Sequence, residues 1–211
     1  MRVLILPDWM TTPDMYRDVA DQLNAEVYSY EDSDLANRVV SLHKYLKRHE
    51  YDCIVGFGIG AWLALSAARD EKVILINPIL KGNVTKLSSK FDKEGFEAMR
   101  VTSFSSKLML KFLVGSWGKI TPELVKYFRT CSVDTETHIL SQMSSESLGD
   151  SFNATNVYTV IVSKGDKLCY EEQAKELAER VNASYVHNLK GGHLVIFDCP
   201  DEVVSEIKEA L

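Results

Sequence analysis

Two side chains in this sequence have the types and the placement to move a proton together. Asp166 lies in the stretch Ser-Lys-Gly-Asp-Lys that follows a predicted strand over residues 157–162, and His193 follows a predicted strand over residues 184–188. A carboxylate that holds a histidine in one tautomer is the arrangement that general acid–base catalysis needs. Taken singly, each residue also has an ordinary interpretation, Asp166 as a turn residue and His193 as a core histidine.

A glycine-rich turn is the third segment of this kind. Residues 56–60 read Gly-Phe-Gly-Ile-Gly and join a predicted strand over residues 52–57 to an Ala- and Leu-rich helix over residues 61–69. Such a strand–turn–helix is typical of the turn that presents a catalytic serine, and Gly58 stands in the position of that serine. The glycine turn, the acid and the histidine also follow the chain order of nucleophile, acid and base in that type of site.

Alternating strands and helices predict how these segments meet. Helical patterns separate six short predicted strands, which cover residues 2–6, 26–30, 52–57, 73–77, 157–162 and 184–188. We therefore expect an α/β fold with a mainly parallel six-stranded sheet and helices on both faces. Ligands of such sheets bind beyond the carboxyl ends of the strands, which is where the three segments would come together.

Residues 80–156 interrupt this alternation with a block that has no clear strand. Helical pieces are predicted in it at residues 91–99, 106–114, 122–131 and 135–144. We expect a helical cap, inserted into a core made of residues 1–79 and 157–211, that roofs the crevice at the strand ends.

Composition narrows the classes of function. The chain has 211 residues, 45% of them hydrophobic and 26% charged, and a net charge of −6. Mild acidity argues against nucleic acid or an anionic membrane as partner, and no apolar run is long enough to span a membrane. The four cysteines are far apart and form no zinc-type pair, and without an export signal they favour reduced thiols in a cytoplasmic protein.

On these residues the chain resembles the α/β-hydrolase superfamily. Within it, the chain looks most like small capped carboxylesterases of the kind that demethylate pimeloyl carrier-protein esters. The resemblance implies that Asp166 is the triad acid, that His193 is the triad base and that Gly58 occupies the nucleophile position. It also implies an oxyanion hole made by the backbone N–H groups of Ile59 and Trp9, and a site that uses neither a metal nor another cofactor.

Two departures from that family bear on activity. Gly58 has no side chain, and loss of a triad serine costs on the order of 10⁶ in turnover. Glycine is tolerated there because the turn forces a backbone conformation that other residues adopt only with strain.

The family's first loop commonly reads His-Gly-aromatic, whereas residues 7–9 read Pro-Asp-Trp here. If Asp8 points inward, its carboxylate opposes the oxyanion; alternatively, it faces solvent or caps the helix near Thr12.

Several functions remain open at this point. The first is a non-hydrolytic protein that binds a small acyl or ester-like ligand, possibly linked to a carrier protein, or that binds a partner protein. The second is a carboxylesterase that has lost its nucleophile, or a His193–Asp166 dyad that acts as a general base. A nucleotide-binding module is the third, because Gly56, Gly58 and Ala61 fit a dinucleotide glycine spacing, although no acidic residue ends the next strand.

The candidate lining of a ligand pocket combines residues of the core and of the predicted cap. These residues are Asp8, Phe57, Met109, Phe112 and Trp117. Most of the apolar cap residues have a simpler role as packing between the cap and the sheet.

Overall fold

Six strands form a single parallel sheet in the computed structural model, which describes residues 1–79, 92–145 and 156–211 but not the side chains of Trp117, Ser144 and Ser145. The spatial order of the strands is β2-β1-β3-β4-β5-β6. Their bounds are β1 (Val3–Leu6), β2 (Ala25–Val27), β3 (Cys53–Phe57), β4 (Lys72–Ile76), β5 (Tyr158–Ser163) and β6 (Ser184–Leu189). The predicted α/β fold with a parallel six-stranded sheet is confirmed.

Helices cover both faces of the sheet. A 3₁₀ turn (Pro13–Tyr16) leads into α1 (Arg17–Leu23), and the described helices that follow are α2 (Leu35–Leu46), α3 (Ile59–Ala67), α4 (Lys93–Arg100), α5 (Ser103–Leu113), α6 (Pro122–Thr130), α7 (Val133–Ser145), α8 (Glu171–Arg180), α9 (Val195–Asp198) and α10 (Pro200–Ala210). None of the helices in the described part of the chain combines the length and the apolar character needed to cross a membrane.

Local sequence explains where several of these helices begin. The side chain of Asp34 accepts a hydrogen bond from the Asn37 N–H at the start of α2. Thr102 and Ser105 form a reciprocal capping box at the start of α5. Thr121 caps α6, whose first residue is Pro122. Each cap satisfies backbone donors that would otherwise have no partner in the first turn.

The alternation of side chains along the strands divides the core into two layers. Val3 and Ile5 of β1 pack in a layer with residues of α1 and α10. Leu4 and Leu6 point to the other face, into a layer that includes α2, α3 and the helices between β4 and β5. Both layers are needed because a parallel sheet of this kind is buried on both faces.

The register of the strands aligns their carboxyl ends. Leu6 at the end of β1 lies opposite Gly56, and Phe57 at the end of β3 lies opposite Ile76. The segments that follow β1, β3, β4, β5 and β6 therefore emerge at the same edge of the sheet.

The structure differs from the sequence prediction at several boundaries. β2 has three residues, whereas the predicted strand covered residues 26–30. Beyond the end of the strand, the Tyr30 hydroxyl donates a hydrogen bond to the Pro7 carbonyl. Thr12-Pro13 is typical of an N-cap and first residue of a helix, but Thr12 precedes a 3₁₀ turn and its side chain makes no capping bond. The division into a core and a cap at residues 80–156 stays a prediction, and residues 80–91 and 146–155 of that cap lie outside the described residues.

Candidate functional site

Gly58 forms the sharp turn between β3 and α3. Its backbone has φ 51° and ψ −108°, a conformation that residues with a side chain rarely adopt. The neighbouring glycines are required by close packing, since a Cβ on Gly60 would lie 2.2 Å from the Leu6 carbonyl oxygen. Gly58 therefore has the backbone conformation that a nucleophile turn requires, and it has no side chain.

Asp166 and His193 meet as the chain order predicted. His193 Nδ1 lies 2.8 Å from Asp166 Oδ2, and both side chains are almost completely buried. The second carboxylate oxygen of Asp166 accepts hydrogen bonds from the N–H groups of Leu168 and Cys169, at 2.7 and 3.0 Å. These bonds fix the carboxylate as it faces the imidazole.

Asp8 points into the site, and its carboxylate fills the space in front of Gly58. Oδ1 accepts hydrogen bonds from the N–H groups of Trp9, at 2.6 Å, and of Ile59, at 2.9 Å. A Cβ added to Gly58 would lie 1.7 Å from the same oxygen. The two backbone donors that the family resemblance assigns to an oxyanion hole are thus both bonded to a carboxylate of the chain itself.

The other oxygen of Asp8 pairs with the histidine. Oδ2 lies 2.9 Å from His193 Nε2. The ring N–H is not aligned on the carboxylate, so Nε2 has an ion-pair contact without a well-formed hydrogen bond. His193 is therefore placed between two carboxylates, with one ring nitrogen facing each.

This arrangement determines the charge of His193. Burial by itself lowers the pKa of the imidazole, but Asp166 and Asp8 outweigh it and raise the pKa of His193 to about 10. The ring is consequently an imidazolium at neutral pH, and the negative charges of Asp8 and Asp166 stabilise it. An imidazole that already carries its second proton cannot take a proton from a substrate or from water.

Residues of the same loop and of the 3₁₀ turn that follows it hold Asp8 in place. The Asp8 N–H donates to the Tyr16 hydroxyl, at 2.9 Å, and the Thr11 hydroxyl donates to the Asp8 carbonyl, at 2.7 Å. Tyr16 is fully buried, and its burial, together with the nearby Asp8 charge, raises the pKa of its hydroxyl. Tyr16 is therefore neutral, so its hydroxyl keeps a proton while its oxygen accepts the Asp8 N–H.

Glu136 of α7 ties the far end of this loop to the helices between β4 and β5. Its backbone carbonyl accepts a hydrogen bond from the Trp9 indole N–H, at 3.2 Å. Its carboxylate faces the Met10 backbone, where φ is 57°, and this backbone acts to lower the pKa of the carboxyl group. Burial raises the pKa of Glu136 to about 7, with the nearby Arg38 opposing the shift. Glu136 therefore joins the loop that follows β1 to α7.

Asn77 is a site residue that sequence reasoning missed. It follows β4 with a left-handed backbone, φ 46°, and its buried amide donates to the His193 carbonyl at 2.9 Å and to the Ser163 hydroxyl at 2.8 Å. Its side-chain oxygen accepts the Ser163 N–H, at 2.8 Å. Asn77 therefore joins the ends of β4 and β5 to the histidine loop. A lone asparagine directly before Pro78 was the only signal of this role in the sequence.

The predicted pocket residues do not share one environment. Phe57 packs edge-on against Tyr16, with ring centroids 5.1 Å apart, in the layer on one face of the sheet. Met109 is buried in the other layer. Phe112 packs against that layer, and the Lys167 ammonium lies over the Phe112 ring. The side chain of Trp117 lies outside the described residues. A pocket formed by these residues stays a prediction.

The fold and the site together define a class of protein. A parallel sheet in this strand order, with a sharp turn after β3, a carboxylate after β5 and a histidine after β6, is the architecture of an α/β-hydrolase. The chain belongs to the alpha/beta hydrolase family, whose family model matches residues 4–206.

Solved structures with the same fold include several hydrolases. The enol-lactonase from Burkholderia xenovorans LB400 has a TM-score of 0.79 at 13% identity, with 99% of this chain and 90% of that chain covered. The esterase EaEST from Exiguobacterium antarcticum has a TM-score of 0.71 at 14% identity, covering 99% and 91%. RedJ, a thioesterase from the prodiginine biosynthetic pathway of Streptomyces coelicolor, has a TM-score of 0.70 at 12% identity, covering 100% and 85%. A search of curated proteins by sequence finds no match.

Proposed function

We propose that this protein is a non-hydrolysing member of the alpha/beta hydrolase family, whose ester-hydrolase site is closed by its own Asp8 carboxylate. The observation that carries the proposal is the position of Asp8 Oδ1, within hydrogen-bond distance of both the Trp9 and the Ile59 N–H groups. The carboxylate takes the place that the oxyanion of an ester intermediate would need.

Three requirements of acyl transfer fail together. The nucleophile is missing at Gly58. The two oxyanion donors are bonded to an anion, and a second negative charge developing beside it is strongly opposed. His193 is protonated at neutral pH, because it lies between two carboxylates, and so it cannot act as a base. Each loss alone would slow the reaction, and in combination they remove it.

A binding role remains for such a fold. We propose a small acyl or ester-like ligand, free or linked to a carrier protein, that is held without turnover. The support is the likeness in fold to an esterase, an enol-lactonase and a thioesterase, whose names describe action on such bonds. Because Asp8 fills the space at Gly58, the reactive end of the ligand would stop in front of the carboxylate.

Descent from an ester hydrolase explains the site better than the other candidates. The contact between His193 and Asp166 is retained at 2.8 Å, as an ester hydrolase requires. A general-base role for this dyad is opposed by the protonated ring. A nucleotide-binding role is opposed by the bond between the Ile59 N–H and Asp8, because a phosphate would need that donor at the start of α3.

Hydrolysis of p-nitrophenyl acetate and p-nitrophenyl butyrate tests the proposal. We expect the intact protein to cleave both esters no faster than its His193→Ala variant at pH values from about 6 to 9. Ester turnover that His193→Ala abolishes would show that the protein is a hydrolase.

Calorimetric titration with methyl hexanoate tests the binding role in the same samples. We expect heat of binding and recovery of the uncleaved ester, and an absence of binding would contradict this part of the proposal.

A further inference from the structure

The surface formed by α5 and α6 has a charge opposite to that of the whole protein. Residues 103–131 contain five cations and a single carboxylate, Glu123, which gives this segment a net charge of +4 in a chain whose net charge is −6. The cations are Lys107, Lys111, Lys119, Lys126 and Arg129. Such a concentration of one sign on one part of a surface attracts partners of the opposite sign.

A groove of about 520 Å³ runs between the two helices of this surface. Its apolar part consists of Ile120, Pro122 and Val125. Polar and charged side chains line the rest of it, namely Ser103, Lys107, Lys126, Arg129 and Thr130. We call this feature the α5–α6 groove. An apolar strip between cations suits an occupant that is apolar on one side and acidic along its edges.

Exposed apolar side chains extend this surface along α5. Phe104 is 73% exposed and Leu108 is 50% exposed, and they are one helical turn apart on the same side of the helix. A helix turns by 100° per residue. This spacing places Lys107 and Lys111 on the surface of α5 between the Phe104–Leu108 pair and the groove. Val101 lies just before the start of α5. The other large apolar residues that are exposed in the described part of the chain lie on other elements.

Within the described part of the chain, no carboxylate forms an ion pair with the cations of the groove. Lys107 and Lys126 form no ion pair within residues 1–79, 92–145 and 156–211. Arg129 donates to the Arg100 carbonyl and the Ser103 hydroxyl, and among the described residues it has no carboxylate partner. Their charges are therefore available to a partner.

We propose that the α5–α6 groove docks an acidic amphipathic helix of a partner protein. The apolar face of that helix would lie on Ile120 and Val125, and its acidic edges would face Lys107, Lys126 and Arg129. α5 has 11 residues and is about 16 Å long, so the surface matches about three turns of a docked helix. Phe104 and Leu108 extend the apolar surface beyond the groove. A helix of a partner protein is long enough to cover them, whereas a small ligand in the groove would leave them exposed.

Two synthetic peptides of about 18 residues test this proposal with the intact protein. Both have leucines at helical spacing, and one has glutamates and the other lysines on the flanks. We expect fluorescence anisotropy to show binding of the acidic peptide with a Kd on the order of 10–100 µM, weakened by salt. Lys107→Glu/Lys126→Glu should weaken this binding by about tenfold or more, and Phe104→Ser by about threefold.

A charge-matched variant on other elements provides the control. Lys47→Glu/Lys208→Glu changes two exposed lysines far along the chain from the groove and should leave the peptide affinity within about twofold. Equal binding of both peptides, or acidic-peptide binding that Lys107→Glu/Lys126→Glu does not weaken, would overturn the proposal. It would also be overturned if the protein instead sediments with vesicles of phosphatidylglycerol, or forms a dimer that Lys107→Glu/Lys126→Glu dissociates.

Discussion

The double variant Asp8→Gly/Gly58→Ser is expected to hydrolyse p-nitrophenyl esters about 10³-fold or more faster than the wild-type protein. The first change empties the space between the Trp9 and Ile59 N–H groups, and the second supplies an oxygen nucleophile at the apex of the turn. Without Asp8, His193 keeps only Asp166 as a counter-ion, so its pKa falls and the ring can act as a base. The gain is large because a triad and its oxyanion donors act as a unit.

Gly58→Ser alone should leave the protein inactive and less stable. The serine Cβ would lie 1.7 Å from Asp8 Oδ1, so either the carboxylate or the turn must move. A side chain at φ 51° adds a strain of about 1–3 kcal/mol. His193→Ala in the double variant is the control that should remove the new activity. A folded double variant that cleaves esters at the wild-type rate would contradict the claim that the carboxylate and the missing serine are what closes the site.

Asp8→Ala is expected to lower the free energy of unfolding by about 3 kcal/mol at neutral pH. The change removes one of two counter-ions from a buried imidazolium and leaves two backbone donors without their acceptor. Added formate should restore part of the loss, since its carboxylate can take the vacated position and bind only the folded protein. Urea unfolding with and without formate measures both effects.

The loss caused by Asp8→Ala should depend on pH in a defined direction. The pKa of His193 is raised in the folded protein, from an ordinary value of 6.5 to about 10. The stability contributed by its charge is therefore complete below about pH 6.5 and is lost as the pH rises through about 10. The difference between wild type and variant should shrink from about pH 7 to pH 10. A difference that grows over this range would contradict the assignment of an imidazolium.

Two matched variants separate the causes of this loss. Asp8→Asn keeps an oxygen that can accept from the Trp9 and Ile59 N–H groups but removes the charge, so it should lose only the part that comes from the ion pair. Asp21→Ala removes an exposed carboxylate and should change the free energy of unfolding by about 0.5 kcal/mol or less. If Asp8→Ala is as mild as Asp21→Ala, Asp8 does not hold the site closed.

Sequence patterns were sufficient for the parts of the structure that depend on short stretches of chain. The alternation of apolar strands and helices predicted the parallel sheet, because each strand is buried and each connection needs a helix. The placement of Asp166 and His193 after successive strands predicted their contact, because parallel strands end at one edge of the sheet. The glycine turn predicted the backbone of Gly58, because few other residues adopt it without strain.

The direction of the Asp8 side chain depends on contacts that no short stretch reveals. Its N–H is held by Tyr16, which is eight residues away, and its loop by Glu136, which is more than a hundred residues away. Sequence alone therefore left both directions open for Asp8. The role of Asn77 was missed for the same reason, since its partners Ser163 and His193 are distant in sequence.

The protonation state of His193 is the most direct test of a site closed by Asp8. Nitrogen-15 NMR of the ring, recorded in the wild-type protein from about pH 6 to 11, reports whether both nitrogens carry protons. We predict an imidazolium at pH 8 that titrates near pH 10, with a clearly lower pKa in Asp8→Asn. A ring that is neutral at pH 8 in the wild-type protein, or whose titration Asp8→Asn leaves unchanged, would contradict the account.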